Sequence, residues 1–177
     1  AKQVAAYVRQ GLGIGNAMLT DYLELFENAG LRVVFMNMPE GCTTFSGYDP
    51  FNQNGFVFIN SNLKKQPEVQ MIRATLELGR VFWYVRKQNA QASVEADTLN
   101  EKEFAYCFML NFLLPATSLR RTVLQTGIAP ENWTFDLLLR MKKRYGVSAR
   151  CFAMRLQELG LSRSDKQKHD PHAFLFE

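Results

Sequence analysis

Two stretches decide how this chain is read: Gly55-Phe56-Val57-Phe58-Ile59-Asn60-Ser61-Asn62-Leu63 and, a few residues on, Arg73-Ala74-Thr75-Leu76-Glu77-Leu78-Gly79-Arg80. The first is an apolar strand, β-branched and aromatic, that leaves into an Asn-rich turn. From Pro67 the period changes from two residues to that of a helix. Val69, Ile72, Leu76, Gly79 and Trp83 then form one stripe, and Arg73, Glu77, Arg80 and Tyr84 form the neighbouring one.

Upstream, Leu31–Met36 and Thr43–Tyr48 read as two further strands, divided by the turn Pro39-Glu40-Gly41-Cys42. Asp49-Pro50 and Asn52–Asn54 separate the second of these from Gly55–Asn60, which predicts a small antiparallel sheet of three strands. Ala17–Ala29 carries Leu19, Tyr22, Leu23 and Phe26 on one helical face, with Gly30 as a left-handed stop. Val4–Gln10 reads as a short helix. The glycines of Gly11-Leu12-Gly13-Ile14-Gly15-Asn16 do not have the spacing of a phosphate loop and no strand precedes them, so they read as a turn between helices. Downstream, after a break at Gln88–Asp97, Thr98 and Glu101 have the spacing of a capping box with Thr98 as N-cap. The helix that follows carries Phe104, Phe108 and Phe112 at i, i+4 and i+8, a core stripe, and ends near Pro115. Trp133–Tyr145 is a helix, Gly146 a turn, and Ser148 caps a last helix closed by Gly160. Ser162–Glu177 is a tail, polar and then aromatic.

A chain of 177 residues is one domain, or one domain with a small appendage. Its 47% hydrophobic and 21% charged residues are ordinary for a globular protein and argue against disorder. No stretch approaches the ~20 apolar residues of a membrane-spanning helix. Cys42, Cys107 and Cys151 are odd in number, far apart and free of any C-x-x-C pair, which speaks against a cysteine-built zinc site or a disulfide framework. The net charge of +4 permits an anionic partner without demanding one. The two histidines, His169 and His172, both lie in the tail, so most histidine-based catalytic schemes lack parts. The chain starts at Ala1 with no secretory pattern, so either a leader has gone or this is a piece of a longer protein, and the cysteine usage and lack of a signal favour a cytoplasmic origin.

Three stretches together resemble the ImmA/IrrE-type zinc metallopeptidase family. Gly55–Leu63 is similar to the family's apolar strand ending in N-S-N-L. Arg73–Arg80 is similar to its R-F-T-L-A-H-E-L-G-H helix. Glu101-Lys102-Glu103-Phe104-Ala105-Tyr106-Cys107-Phe108, running on to Leu113-Leu114-Pro115, resembles its E-x-x-A-N-x-F-A…L-L-M-P helix. The likeness covers roughly residues 17–161. It implies an α+β fold: a small three-stranded sheet packed on a helical zincin-like core, with C-terminal helices resembling a helix-turn-helix. The implied divisions are an N-terminal linker helix over 1–16, trailing a lost DNA-binding domain; a degenerate metallopeptidase-like domain over 17–127; a helical subdomain over 128–161; and a tail over 162–177.

In such a peptidase two histidines at i and i+4 hold Zn²⁺, a third ligand comes from the next helix, and a glutamate activates the metal-bound water. Here the two histidine positions are Leu76 and Arg80, and Glu77 keeps the general-base position. Leucine has no lone pair, and a permanent cation repels a dication. The family's third carboxylate falls at Lys102, with Glu101 and Glu103 on either side. The resemblance thus implies the fold without the metal, with no catalytic residue and no cofactor expected. Arg80 has the spacing to pair with Glu77 and the reach to meet Glu101 or Glu103, which would put a guanidinium where the metal's charge would stand.

The expected function is that of a non-catalytic sensor, a pseudoenzyme, in a bacterial or phage transcription regulator. It would bind a protein partner or a small effector in the former cleft, with Arg73, Glu77, Arg80, Phe104 and Phe108 as ligand-binding candidates. Aromatic walls beside Arg80 suit an apolar or acyl-bearing ligand with an anionic end. One alternative is an active metalloprotease that cleaves a repressor. The other is DNA binding, through a fused domain or through the basic C-terminal helices, with Lys142, Lys143, Arg144, Arg150 and Arg155 as candidates.

Overall fold

A computed structural model describes residues 1–19, 21–89 and 99–163 of the chain. The helices are α1 (Lys2–Gly11), α2 (Tyr22–Asn28), α3 (Pro67–Asn89), α4 (Glu101–Leu113), α5 (Ala116–Thr126), α6 (Phe135–Tyr145) and α7 (Ala149–Glu158). The strands are β1 (Arg32–Met36), β2 (Thr44–Asp49) and β3 (Asn54–Asn60), and a 3₁₀ turn, Ser61–Lys65, joins β3 to α3. The α+β class expected from the sequence holds.

β3 is the middle strand. Gly55, Val57 and Ile59 alternate onto the buried face of the sheet, and Phe56 and Phe58 onto the other, where Phe58 stacks on Phe45 at 4.4 Å. The sheet is mixed, which corrects the antiparallel expectation: β2 pairs antiparallel with β3, but β1 runs parallel to it. The cause lies in the loop 37–43. It passes over the end of β3, where Asn60 Nδ2 donates to the Cys42 carbonyl at 2.9 Å and the Asn60 N–H donates to the Thr43 carbonyl at 2.9 Å. β2 therefore starts on the far side of β3, and its hairpin returns the chain between the two outer strands.

α3 packs under the sheet and along α4. At the crossing with α4 the backbones come close: a methyl group on Gly79 would lie 3.0 Å from the Ala105 Cα and 3.1 Å from its carbonyl oxygen. At the crossing with β3, a methyl group on Gly55 would lie 2.7 Å from Leu31 and 2.9 Å from Val81. Only glycine lets these elements meet so closely. Phe104, Phe108 and Phe112 are fully buried, with Phe112 stacked on Phe108 at 5.4 Å and against Phe26 at 6.0 Å.

The segment read as a linker helix is docked. α1 lies against α4, and Arg9 is buried there. Arg9 Nε donates to the Gly15 carbonyl at 2.7 Å, and its terminal nitrogens donate to the Phe112 and Ala17 carbonyls. Burial pushes this guanidinium down to about 10, so it stays charged at neutral pH. Gly13 and Gly15 take positive φ (69° and 45°) in the turn that brings the Gly15 carbonyl back to Arg9. The helix expected over Ala17–Ala29 begins later, at Tyr22, because Asp21 caps it by accepting from the N–H groups of Leu23 and Glu24. Asn100, not Thr98, is the N-cap of α4, paired with Glu103 in a capping box; Thr98 lies outside the described residues. α5 is a helix that the sequence pattern does not announce.

Candidate functional site

The burial of Glu77 organises the site. A carboxylate removed from water is costly unless donors surround it. Glu77 is 2% exposed and both its oxygens are engaged. Thr44 Oγ1 donates to Oε1 at 2.9 Å, Ser46 Oγ donates to Oε2 at 2.7 Å, and Arg80 Nη1 donates to Oε1 at 2.7 Å. Thr44 and Ser46 are two residues apart on β2, so strand geometry turns both hydroxyls to the same face. The Arg80 side chain also reaches α4, where its Nε lies 3.5 Å from Glu101 Oε1. That is an ion pair without a hydrogen bond, and among the described residues the buried Nε has no hydrogen-bond partner. The Tyr84 hydroxyl donates to the same Glu101 oxygen at 3.3 Å. Burial, followed by the Glu101 carboxylate, pushes the Tyr84 phenol up.

Beside this group lies a cavity of about 400 Å³. Residues 40–44 line it from the loop and the start of β2, Arg73, Leu76, Glu77 and Arg80 from α3, and Lys102 from α4. Arg73 is half-buried. Burial, foremost, lowers its affinity for its proton; the Glu77 charge opposes that and the Arg80 charge adds to it. The two arginines and Glu77 therefore share one electrostatic neighbourhood.

The structure brings together Arg73, Leu76, Glu77, Arg80 and Glu101 of the residues singled out in the sequence. It does not bring Phe104 and Phe108 to the cavity. Both are 0% exposed on the face of α4 that enters the core, Phe104 against Trp83 at 5.3 Å and Phe108 against Phe82 at 5.6 Å. Without that aromatic wall, the apolar or acyl-bearing ligand loses its support. Glu103 is spent on the α4 capping box, so Glu101 is the carboxylate that faces Arg80. Two contributors escaped sequence reasoning, Thr44 and Ser46, and Lys102 entered it only as the position where the family's third carboxylate falls. The period-two spacing of the hydroxyls on a predicted strand was the signal for the first two. Lys102 gave none beyond its place in the motif.

Zinc, which the peptidase resemblance implies, does not suit these side chains. Leu76 offers no donor atom and is 5% exposed, and Arg80 places a fixed cation 2.7 Å from the buried Glu77 carboxylate. His169 and His172 lie outside the described residues.

The basic C-terminal helices are less available than their sequence suggests. Lys142 Nζ is held by both oxygens of Glu68, at 2.5 and 2.6 Å. Arg155 is 1% exposed; it donates to the Leu114 carbonyl at 3.0 Å, Glu158 Oε2 at 2.7 Å and Asn111 Oδ1 at 2.7 Å. It ties α7 to the end of α4 and has no face to offer DNA. Arg150 is half-buried and already engaged in an interaction, while Lys143 and Arg144 are exposed.

The sequence profile of the IrrE N-terminal-like domain family matches residues 26–157. No curated protein matches the chain. Among solved structures, one described as a Mycobacterium tuberculosis transcriptional regulator has a similar fold, with a TM-score of 0.57 at 21% identity. The likeness covers 95% of this chain and 48% of that one, so this chain spans about half the length of the regulator it matches. Among the described residues no helix is long and apolar enough to cross a membrane.

Proposed function

The chain belongs to the IrrE N-terminal-like domain family, and on that premise we propose that it is a non-catalytic regulatory domain of a bacterial or phage transcription regulator. It holds a partner segment or a small effector in the cleft where a peptidase would hold its metal. One observation carries this reading: Glu77, at the general-base position, is enclosed by Thr44, Ser46 and Arg80. A base in that arrangement has both oxygens committed to its own protein, and the flanking positions supply a hydrocarbon and a cation. The described function of the structural relative, a transcriptional regulator, supports a regulatory setting.

Elemental analysis of chelator-free protein, paired with a peptide-cleavage assay of the wild type and Glu77→Gln, tests the reading. The expected result is no stoichiometric transition metal and no Glu77-dependent hydrolysis. Stoichiometric zinc with cleavage lost in Glu77→Gln would overturn it in favour of an active protease.

A further inference from the structure

We propose that the exposed face of α5 and α6 docks on the phosphate backbone of duplex DNA, through Arg120 and Arg121 of α5 and Arg140, Lys143 and Arg144 of α6, without reading bases. The inference goes beyond the cleft reading and does not depend on what the cleft holds.

The charge of the chain is unevenly placed. Residues 116–163, which form the last three helices, carry nine Lys and Arg against three Asp and Glu. All other residues together carry twelve against fourteen. The net charge of +4 therefore arises wholly in the last three helices, where the surplus is six. Such asymmetry within one chain is the electrostatic footprint of a polyanion-binding surface.

The structure separates the cations that are already paired from those that are not. Lys142 is held by Glu68, Arg155 is buried against Leu114, Asn111 and Glu158, and Arg150 is engaged. Arg120, Arg121, Arg140, Lys143 and Arg144 are exposed, and among the described residues their side chains make no ion pair or hydrogen bond. On α5, Leu119 and Val123 face the core, while Arg120 and Arg121 lie on the exposed side. On α6, Met141 and Tyr145 face the core, and Arg140, Lys143 and Arg144 lie outside at i, i+3 and i+4. The Tyr145 hydroxyl donates to Thr122 Oγ1 at 3.0 Å and joins the two helices. Thr122 follows Arg121 and Tyr145 follows Arg144, so the two groups of cations flank one junction.

A helix C-terminus favours cations, which accounts for Lys143 and Arg144. It does not account for Arg120 and Arg121, which sit in the middle of α5. The acidic residues of the segment lie away from the junction: Glu131 before α6, Asp136 in its first turn and Glu158 at the end of α7. Four of the five cations are arginines, whose planar fork matches phosphate oxygens. Cations three and four residues apart on a helix lie ~5–6 Å from one another. A duplex offers a phosphate every ~3.4 Å along each strand, whatever its sequence. Base reading is not expected, because Cys151, Phe152, Arg155 and Leu156 of α7 are buried and Arg155 ties that helix to α4. A membrane surface fits less well. Leu124 and Phe135 are the exposed large apolar residues of these two helices, and an interfacial helix needs a continuous apolar face.

The test is fluorescence anisotropy of a labelled mixed-sequence DNA duplex, titrated with the whole chain at a series of salt concentrations. Five phosphate contacts predict a log–log salt slope of about −4.5, or roughly 10²–10³-fold weaker binding at about 200 mM than at about 50 mM salt. The double variants Arg120→Gln/Arg121→Gln and Lys143→Gln/Arg144→Gln should each make the slope shallower by about 2. Glu68→Gln/Lys142→Gln removes an existing pair without changing net charge and should leave the slope as it is. Thermal unfolding checks that each variant is folded. No binding at the lowest salt, or a slope that neither arginine-bearing variant changes, overturns the inference. So does tighter binding at matched salt to phosphatidylserine vesicles, which would assign a membrane contact, or to polyglutamate, which would assign an acidic protein segment.

Discussion

Two pairs in this molecule share a spacing and a distance and invert each other's burial. Glu77–Arg80 on α3 and Arg155–Glu158 on α7 are both i, i+3 pairs at 2.7 Å. In the first, the glutamate is 2% exposed and the arginine 30%. In the second, the arginine is 1% exposed and the glutamate 38%. A buried carboxylate needs donors and collects two hydroxyls and a guanidinium. A buried guanidinium needs acceptors and collects a helix-end carbonyl, an amide oxygen and the glutamate. The α7 pair closes the fold, because its partners Leu114 and Asn111 belong to α4 and its end. The α3 pair leaves its arginine 30% exposed at the wall of the cleft. One sequence pattern thus appears with opposite burial in two places, and the residue that is buried decides which partners it collects.

Removing the buried arginine has the largest expected effect. Arg155→Ala takes the donor from two acceptors in the interior, at ~1–3 kcal/mol each, so urea denaturation should show a loss of about 2–6 kcal/mol. Arg80→Leu should cost less, about 1–3 kcal/mol: stranding a buried charge is costly, but Thr44 and Ser46 remain as donors. The comparison sharpens in the double variants. Glu77→Gln should recover most of the Arg80→Leu loss, because it removes the stranded charge. Glu158→Gln should recover none of the Arg155→Ala loss, because Glu158 is not the buried partner. Equal rescue at both pairs would break the contrast.

Gly79 lies inside the first pair and sets how closely α4 approaches. A methyl group at this position would already meet the Ala105 backbone at 3.0 Å, so Gly79→Val forces the helices apart. The expected cost is about 1–3 kcal/mol from overpacking, measured by thermal unfolding, with weaker contact between Arg80 and Glu101.

How much of this was legible in the sequence varies with how one-sided each element is. β3 alternates, so its position and faces were readable. α4 presents one clear apolar row, Phe104–Phe108–Phe112, which reads as core and is core; its placement in the cleft came from analogy with a motif, not from the pattern. α3 was harder. Every residue from Gln70 to Val81 except Arg73 and Arg80 is buried, so periodicity alone does not say which row meets the sheet, α4 or the cavity. The parallel pairing of β1 was not legible, because it depends on a loop passing over Asn60 rather than on any strand residue. Lys142 and Arg155 read as basic surface because their partners, Glu68, Asn111 and the Leu114 carbonyl, are distant in sequence. Thr44 and Ser46 had a signal, two hydroxyls at strand spacing, whose meaning needed Glu77 opposite them.

The α7 environment has a pH signature. Cys151, one turn before Arg155, is pushed up from 9.0 to about 12 by complete burial, while the Arg155 charge pulls the other way. The unfolded thiol ionises above its ordinary value and the folded one does not. The contribution of Cys151 is therefore present in full below pH 9 and lost as pH rises towards about 12. Urea midpoints measured below pH 9 and again between 9 and 12 should fall with rising pH, less so in Cys151→Ala. In Arg155→Ala, where the opposing charge is gone, the dependence should extend to higher pH.

The smallest effect is expected from the exposed partner, and it tests the comparison most directly. Glu158→Gln removes a carboxylate that is 38% exposed and leaves Arg155 with the Leu114 and Asn111 acceptors. Water can replace what the glutamate supplied, so the loss should stay below about 1 kcal/mol. It should also shrink in high salt, because solvent-exposed charge is screened. If Glu158→Gln cost as much as Arg155→Ala, the pair rather than the buried guanidinium would be holding α7. The burial rule that separates the two pairs would then fail at the place where it is drawn most sharply.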